Sequence, residues 1–266
     1  MMKLFLGFTR LEFQAALMYR GEFWLRILNN LVVMYGAYWL WNTLFDRQPQ
    51  FFTISREQML AYGMLAMLMD TLFFATNQVR YYLMGQVRTG AIQMDLLRPL
   101  DLLFHMLARN VGQMVFSLLI LGVPGFLTGV LFLGLRPPFS LQDGLLFLFS
   151  LALAYLVAFA LNFLVGMVAI YATEAHRISW AYYALLRFFS GQAVPLWFFP
   201  PFLAQMASLL PFRCIIGIPL SIYIGKLTLG ESLSALGLQA LWAAALLAAC
   251  QLIWARAYAR LTVQGG

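Results

Sequence analysis

Three polar residues that could do chemistry interrupt long apolar stretches of the chain. Asp70 and Asn77 are seven residues apart, so a helix places them on nearly the same face. Arg187 interrupts a different stretch, and charges at such depths usually face protein or water rather than lipid. At 1.5 Å per residue, the depths of Asp70 and Arg187 agree within roughly 6 Å. The two residues are therefore candidates for a pair, with separate contacts to backbone or water as the alternative.

Other chemical motifs point away from catalysis. Gly225 and Lys226 lack both the glycine five residues upstream and the following Ser or Thr of a phosphate-binding loop. His105 and His176 have no Cys, Asp or Glu beside them at metal-ligand spacing, so we expect solvated or headgroup-facing histidines and no metal. No Ser/His/Asp arrangement or pair of intramembrane acids is present in the sequence. We expect no catalytic residue and no cofactor in this chain.

The composition is that of an integral membrane protein. Of the 266 residues, 63% are hydrophobic and 10% are charged, whereas soluble domains are roughly 25% charged. The formal charge of +7 favours anionic lipid headgroups as partners and not nucleic acid, because the arginines cluster between apolar stretches. Cys214 and Cys250 lie in apolar surroundings, where we interpret them as packing residues.

Apolar windows long enough to cross about 30 Å of hydrocarbon predict six transmembrane helices. They cover residues 24–45, 58–84, 108–134, 143–172, 179–199 and 234–257. The short connections leave no room for an extramembrane domain, so residues 1–266 form a single transmembrane domain. The fold class is an all-α polytopic membrane protein.

The distribution of basic residues predicts that both termini lie inside the cell. Of the 17 Lys and Arg residues, Arg187 falls within a span and eleven, Arg80 among them, fall inside. The five outside are Arg47, Arg56, Arg136, Arg213 and Lys226. Residues 2–20 read as an amphipathic helix on the inner interface, or as an extension of the first span, and we expect no signal-peptide cleavage.

A segment rich in proline follows the fifth predicted span. One long helix over 203–226 would hold Pro211 and Pro219 in its interior and Arg213 in lipid. Two short pieces, near 202–210 and 212–227, fit better, and Pro195 would end the preceding span. Since neither piece can cross a bilayer, residues 200–227 are predicted to form a re-entrant hairpin at the outer side, shielded by protein.

The connection over 85–110 holds a short amphipathic helix candidate. Thr89 caps its start, Ile92, Leu96 and Leu97 form an apolar side, and Pro99 stops it. Such a helix could dock into a cytoplasmic partner, and a headgroup-bound loop held by Arg88 and Arg98 is the alternative. Asn162 and Gln113, within the spans, are predicted to form interhelical hydrogen bonds.

The motifs "TGAIQMDLLRPL" and "SGQAVPLWFFPPFLAQMASLLPF", in this order among six spans, resemble the permease subunits of type-2 ABC exporters, and in particular the compact bacterial permeases. The resemblance implies ATP-driven efflux across the bacterial inner membrane, with ATP and Mg bound by separate ATP-binding cassette subunits and a second permease, identical or different, as partner. It also implies a connecting helix at 2–20 and roles for three groups of residues. The coupling helix contains Gly90, Ile92, Asp95, Leu96, Leu97, Arg98 and Pro99; the extracellular gate contains Pro195, Trp197, Phe198, Phe199, Pro200, Pro211 and Arg213; the pathway is flanked by Asp70, Asn77 and Arg187.

The alternative is a stand-alone membrane protein, either an ion-coupled transporter or a lipid-modifying enzyme. A carrier would need more intramembrane carboxylates than Asp70, and an enzyme would need clustered acids or histidines near one interface. The sequence has neither pattern, which favours the permease.

Overall fold

The computed structural model describes residues 2–18, 20–47, 54–96, 101–138, 140–172 and 175–264, and within these ranges the fold is all helical. A π-helical turn covers Leu118–Gly122, and short 3₁₀ turns occupy Val168–Ile170, Leu196–Phe198 and Pro211–Cys214. The helices are α1 (Met2–Met18), α2 (Arg20–Arg47), α3 (Arg56–Thr89), α4 (Ile92–Leu96), α5 (Leu102–Ser117), α6 (Val123–Phe132), α7 (Leu141–Met167), α8 (Ala175–Phe189), α9 (Pro201–Leu209), α10 (Gly217–Tyr223) and α11 (Leu229–Gln264).

Four helical stretches among the described residues are long and apolar enough to cross a membrane. They are Arg56–Thr89, Leu102–Phe132, Leu141–Ile170 and Leu229–Ala257. A fifth is formed if α9 and Pro211–Tyr223, which are bent by 75° at their junction, count as one span. The first and fifth predicted spans fall on α2 and α8, which do not meet the same criteria. The chain is thus a multi-pass helical membrane protein with four or five apolar span candidates.

Local sequence explains where α3, the central helix, begins and ends. Ser55 Oγ accepts from the Gln58 backbone N–H at 3.2 Å, and the Gln58 side chain accepts from the Ser55 N–H at 2.9 Å. This capping box satisfies two backbone donors at the helix start. Gly90 ends the helix with a left-handed φ of 74°, which glycine adopts without steric cost.

The end of α8 corrects the predicted fifth span, because the helix stops at Phe189 and not at Pro195. Gly191 follows with φ of 85°, and a Cβ atom there would lie 2.6 Å from the Tyr62 hydroxyl. The same hydroxyl donates to the Gly191 carbonyl at 2.8 Å, while the Ser190 carbonyl accepts from the Gly217 N–H at 2.8 Å. The chain therefore turns directly after α8. Gly191 leaves room for Tyr62 of α3, and Tyr62 and Gly217 of α10 donate hydrogen bonds to the backbone carbonyls of residues 191 and 190.

The two short pieces predicted after span five are present, as α9 and as the 211–223 segment. Most residues of α9 are exposed, whereas α10 is buried in the core against α7 and α3. Side chains from the long helices satisfy the irregular backbone: Gln58 Nε2 donates to the Ile224 carbonyl at 2.8 Å, and Gln239 Nε2 to the Cys214 carbonyl at 2.7 Å. Such pairing is what irregular backbone needs inside an apolar bundle.

The helix termini define two ends of the bundle. At one end, the start of α3 lies beside residues 133–138 and the end of α10. Tyr223 Oη donates to the Arg136 carbonyl at 2.8 Å, and Arg136 pairs with Glu57. We call this the hairpin end, after the hairpin that the sequence predicts over 200–227. At the opposite end, α4 follows α3, and α1 packs along α5.

Candidate functional site

Asp70 lies at a polar cavity of about 20 Å³ inside the bundle. Its walls come from α3, α7, α8 and the residues after α8. A space of this size admits about one water molecule or a small polar group of a ligand. The cavity brings Asp70 and Asn77 together with polar side chains that the sequence analysis did not connect to them. The polar lining residues are Asp70, Thr76, Asn77, Asn162, Tyr183 and Gln192.

Two amide oxygens of these lining residues have no hydrogen-bond partner among the described residues. Asn162, only 1% exposed, donates from Nδ2 to Thr76 Oγ1 at 3.2 Å and to the Ala158 carbonyl at 2.9 Å. This confirms the predicted interhelical hydrogen bond and leaves Asn162 Oδ1 unpaired, as is Asn77 Oδ1. Because buried polar atoms are usually paired, two free acceptors suit a group that donates, such as a water molecule or a hydroxyl.

Arg187 is a charged neighbour of Asp70, but the two side chains do not form an ion pair within 4.0 Å. Tyr183 lies among Asp70, Arg187, Tyr81 and Arg80, and the Arg187 guanidinium carbon is 5.7 Å from the centroid of the Tyr183 ring. The structure therefore brings Asp70 and Arg187 to one site as electrostatic neighbours, with a tyrosine beside them.

Arg80 extends this site and was missed by the sequence analysis, which counted it among the inside residues. It is the largest completely buried side chain of the described chain, with 1% exposure. Its guanidinium carbon lies 4.9 Å from the Tyr81 ring centroid and 5.1 Å from that of Tyr182. Its Nε and Nη1 atoms donate no hydrogen bond to a described residue. Since Arg80 follows Asn77 by three residues on α3, helical spacing was the signal that could have found it.

The predicted gate residues lie together at the hairpin end. Pro195 and Pro211 are buried, Pro200 is exposed directly before α9, and Arg213 is half-buried. Trp197, Phe198 and Phe199 are half-buried and pack on rings of α3, α2 and α8, an arrangement that holds the segment before α9 against the bundle. The ring-centroid distances are 4.9 Å for Tyr62 and Trp197, 6.3 Å for Trp41 and Phe198, and 4.8 Å for Phe188 and Phe199.

The predicted coupling segment lies at the opposite end, directly after Gly90. Ile92 is 2% exposed and belongs to the core of this chain, so its side chain anchors α4 from within. Met94 is 69% exposed, so α4 presents an apolar side chain outward at this position. The side chains of Asp95 and Leu96, and residues Leu97, Arg98 and Pro99, lie outside the described residues.

Next to this segment, polar and aromatic contacts bind α1 to α5. Thr9 Oγ1 donates to the Ala108 carbonyl at 2.9 Å, and Gln113 Nε2 donates to Glu12 Oε2 at 3.3 Å. The Gln113 bond confirms its predicted interhelical role. His105 is buried, with its ring centroid 4.6 Å from that of Phe8. The expectation of a solvated histidine at this position was therefore wrong, because α1 covers it.

An all-helical fold with several apolar span candidates, and with charged and amide side chains buried between them, defines a polytopic membrane protein. Residues 31–265 match the family described as ABC-2 family transporter protein. The chain belongs to this family, and its role is that of a transport permease. Permeases of the family are the membrane component of a transporter and generally work with ATP-binding cassette subunits. The search of curated proteins finds no match to the chain.

Proposed function

We propose that the chain is the membrane subunit of an ATP-driven exporter, with six spans, both termini inside, and a pathway beside α3 and α8. The observation that carries the proposal is the polar site of Asp70, Asn77, Arg80 and Arg187 between apolar helices. Charged groups at such depth are costly unless they serve a pathway or a partner. In a chain of this family, that cost is best explained by solute passage.

The exposed side of α8 supports a second permease as partner. The main contacts of α8 are with α7 and with residues 211–214, and Trp180 and Arg187 on this helix are exposed. Exposing an arginine to lipid tails at membrane depth is costly in free energy. A second permease, identical or different, would cover this side and place Arg187 at the pathway between the two subunits.

The two ends of the bundle support coupling between nucleotide binding and gating. At one end, α4 and α1 offer a surface for an ATP-binding cassette subunit, which would hold ATP and Mg. At the other end, the hairpin closes the bundle through aromatic contacts with α2, α3 and α8. Closure of two ATPase subunits would then shift the permeases between inward-open and outward-open states.

The test is assembly with the ATP-binding subunit encoded beside the gene. We expect the full-length permease to co-purify with that subunit, and the double substitution Asp95→Lys with Leu96→Glu to abolish co-purification while membrane insertion is kept. The matched control makes the same changes on the exposed surface of α9, as Gln205→Lys with Leu209→Glu, and should retain the subunit. Retention by the α4 variant would assign coupling to another segment. Failure of the unaltered chain to retain any ATPase subunit would overturn the exporter.

A further inference from the structure

A second cavity, of about 680 Å³, opens at the hairpin end between the 196–197 turn, residues 213–221 and the first turns of α11. Its volume is in the range of small-molecule binding sites. It shares no lining residue with the Asp70 cavity, so it is a distinct site. Its polar lining residues are Tyr62, Trp197, Arg213, Ser221, Thr228, Glu231 and Ser234.

Two nitrogen donors of this lining are buried without an acceptor. They are the Nε atom of Arg213 and the indole Nε1 of Trp197, and neither donates a hydrogen bond to a described residue. Lys226 adds a second cation, since its Nζ atom lies 4.1 Å from the Trp197 ring centroid. Partial burial lowers the pKa of Lys226 from its usual range, because it removes part of the hydration of the ammonium group. A nearby anion would stabilise that charge in place of the lost water.

The acidic side chains at this end are engaged elsewhere. Glu231 lines the cavity, but its Oε2 atom accepts from the Thr228 backbone N–H and from Thr228 Oγ1, both at 2.8 Å, as the cap of α11. Glu57 pairs with Arg136, and Asp46 pairs with Arg56. Arg213 and Lys226 have no carboxylate within 4.0 Å among the described residues. The cavity lining therefore supplies one cation, Arg213, and the indole of Trp197, and Lys226 lies beside the lining as a second cation for an acceptor-rich anion.

The surroundings of the cavity are apolar. Leu227 and Ile218 line it, and Leu229 and Leu233, at the start of α11, are 52% and 54% exposed. A ligand with a phosphate group and hydrocarbon chains could bind the donors with its head and lie along these leucines with its chains. Trp, Lys and Arg side chains commonly make such contacts at the membrane surface.

We propose that this cavity binds the headgroup of an anionic phospholipid. The phosphate accepts from Arg213 and from Trp197 Nε1, the Lys226 ammonium lies beside it, and the acyl chains follow Leu229 and Leu233. Bound lipid joins the hairpin to α11 and so stabilises the packed hairpin. The proposal does not depend on ATP-driven export, because lipid binding by the permease alone can succeed or fail regardless of whether an ATPase subunit associates.

The test measures thermal unfolding of the full chain in detergent during titration with phosphatidylglycerol, with phosphatidylcholine as the comparison lipid. We expect phosphatidylglycerol to raise the unfolding midpoint in a saturable way, and phosphatidylcholine to do so weakly. Arg213→Gln should raise the half-saturating concentration about tenfold or more, because it removes a charge-assisted contact. Trp197→Phe keeps an aromatic ring against Tyr62, removes the indole donor and leaves a smaller ring beside Lys226, and should raise that concentration about three- to tenfold.

Arg136→Gln is the matched control, since Arg136 is an exposed arginine of the same end that lies outside this cavity. It should leave the half-saturating concentration unchanged. Equal responses of the unaltered chain to both lipids would overturn the proposal, as would unchanged titrations of both cavity variants. A shift of the same size with soluble glycerol phosphate would also overturn it, because the ligand would then be a water-soluble phosphate and not a lipid.

Discussion

Arg109 and Glu12 join α5 to α1 through an ion pair in which the guanidinium Nε donates to the carboxylate Oε1 at 2.5 Å. The pair is partly buried, with side-chain exposures of 34% and 17%. Arg136 and Glu57 form an ion pair with the same 2.5 Å separation at the hairpin end, but with exposures of 68% and 48%. The chain thus contains two ion pairs of equal length that differ in burial.

The first prediction compares these pairs by neutralising each arginine. Arg109→Gln should lower the free energy of unfolding by about 1–3 kcal/mol, because the partly buried Glu12 carboxylate loses its positive partner and keeps only the hydrogen bond from Gln113. Arg136→Gln should cost no more than about 1 kcal/mol, because water screens the exposed pair. Thermal unfolding in detergent measures both. Equal effects would mean that the α1 contact contributes no more than a surface ion pair.

The second prediction concerns the close approach of the α1 and α5 backbones at Gly112. A Cβ atom at this position would lie 2.3 Å from the Thr9 carbonyl oxygen, and backbone cannot give way as a flexible side chain can. Gly112→Ala should therefore displace α1 and cost about 1–3 kcal/mol. The control is Gly85→Ala in α3, where a Cβ would meet nothing within 4 Å, so the better helix propensity of alanine should make it neutral or stabilising. A Gly112→Ala protein as stable as the control would contradict this packing.

The order of the elements could be predicted from the sequence, because apolar windows and proline positions are local signals. The N-terminal helix α1, the long helices α3, α7 and α11, and the two short pieces after α8 follow from them. The end of α8 could not be predicted, because it depends on contacts of Ser190 and Gly191 with Tyr62 and Gly217, which are distant in sequence.

The polar site was predictable only in part, for a similar reason. Asp70 and Asn77 share a helix face by spacing, and a hydropathy pattern shows that Arg187 is exceptional. Tertiary packing decides which buried amides of other elements lie near Asp70 and Asn77. The sequence alone therefore could not place Asn162 and Gln192 at the cavity. Arg80 was assigned to the inside surface because a count of charges along the chain does not report burial.

The third prediction treats Asp70 and Arg187 as electrostatically coupled. Asp70→Arg adds a cation to a site that already holds Arg80 and Arg187, and Arg187→Asp adds a second carboxylate beside Asp70, so each should lower the thermal stability of the permease. The double substitution restores one charge of each sign. It should recover about 0.5–3 kcal/mol relative to the sum of the single effects, which is the usual coupling of neighbouring residues.

A matched control for this cycle replaces Asp143, the first-turn acid of α7, by arginine together with Arg187→Asp. Because Asp143 does not line the cavity, the two changes should be additive. Additivity in the Asp70 cycle as well would show that Asp70 and Arg187 act independently, and the electrostatic site would be wrong.

The last prediction tests the six-span arrangement with both termini inside through the accessibility of two cysteines. Leu209 on α9 is 76% exposed, Met94 on α4 is 69% exposed, and the native Cys214 and Cys250 are both 0% exposed. The unaltered chain should therefore react little with a membrane-impermeant maleimide, and Leu209→Cys and Met94→Cys can be made without removing the native cysteines. In intact cells we expect labelling of Leu209→Cys alone, because the proposed topology places α9 on the outer side, and in permeabilised cells we expect labelling of both. Labelling of Leu209→Cys only after permeabilisation, or of both variants in intact cells, would overturn the outward hairpin and with it the six-span count.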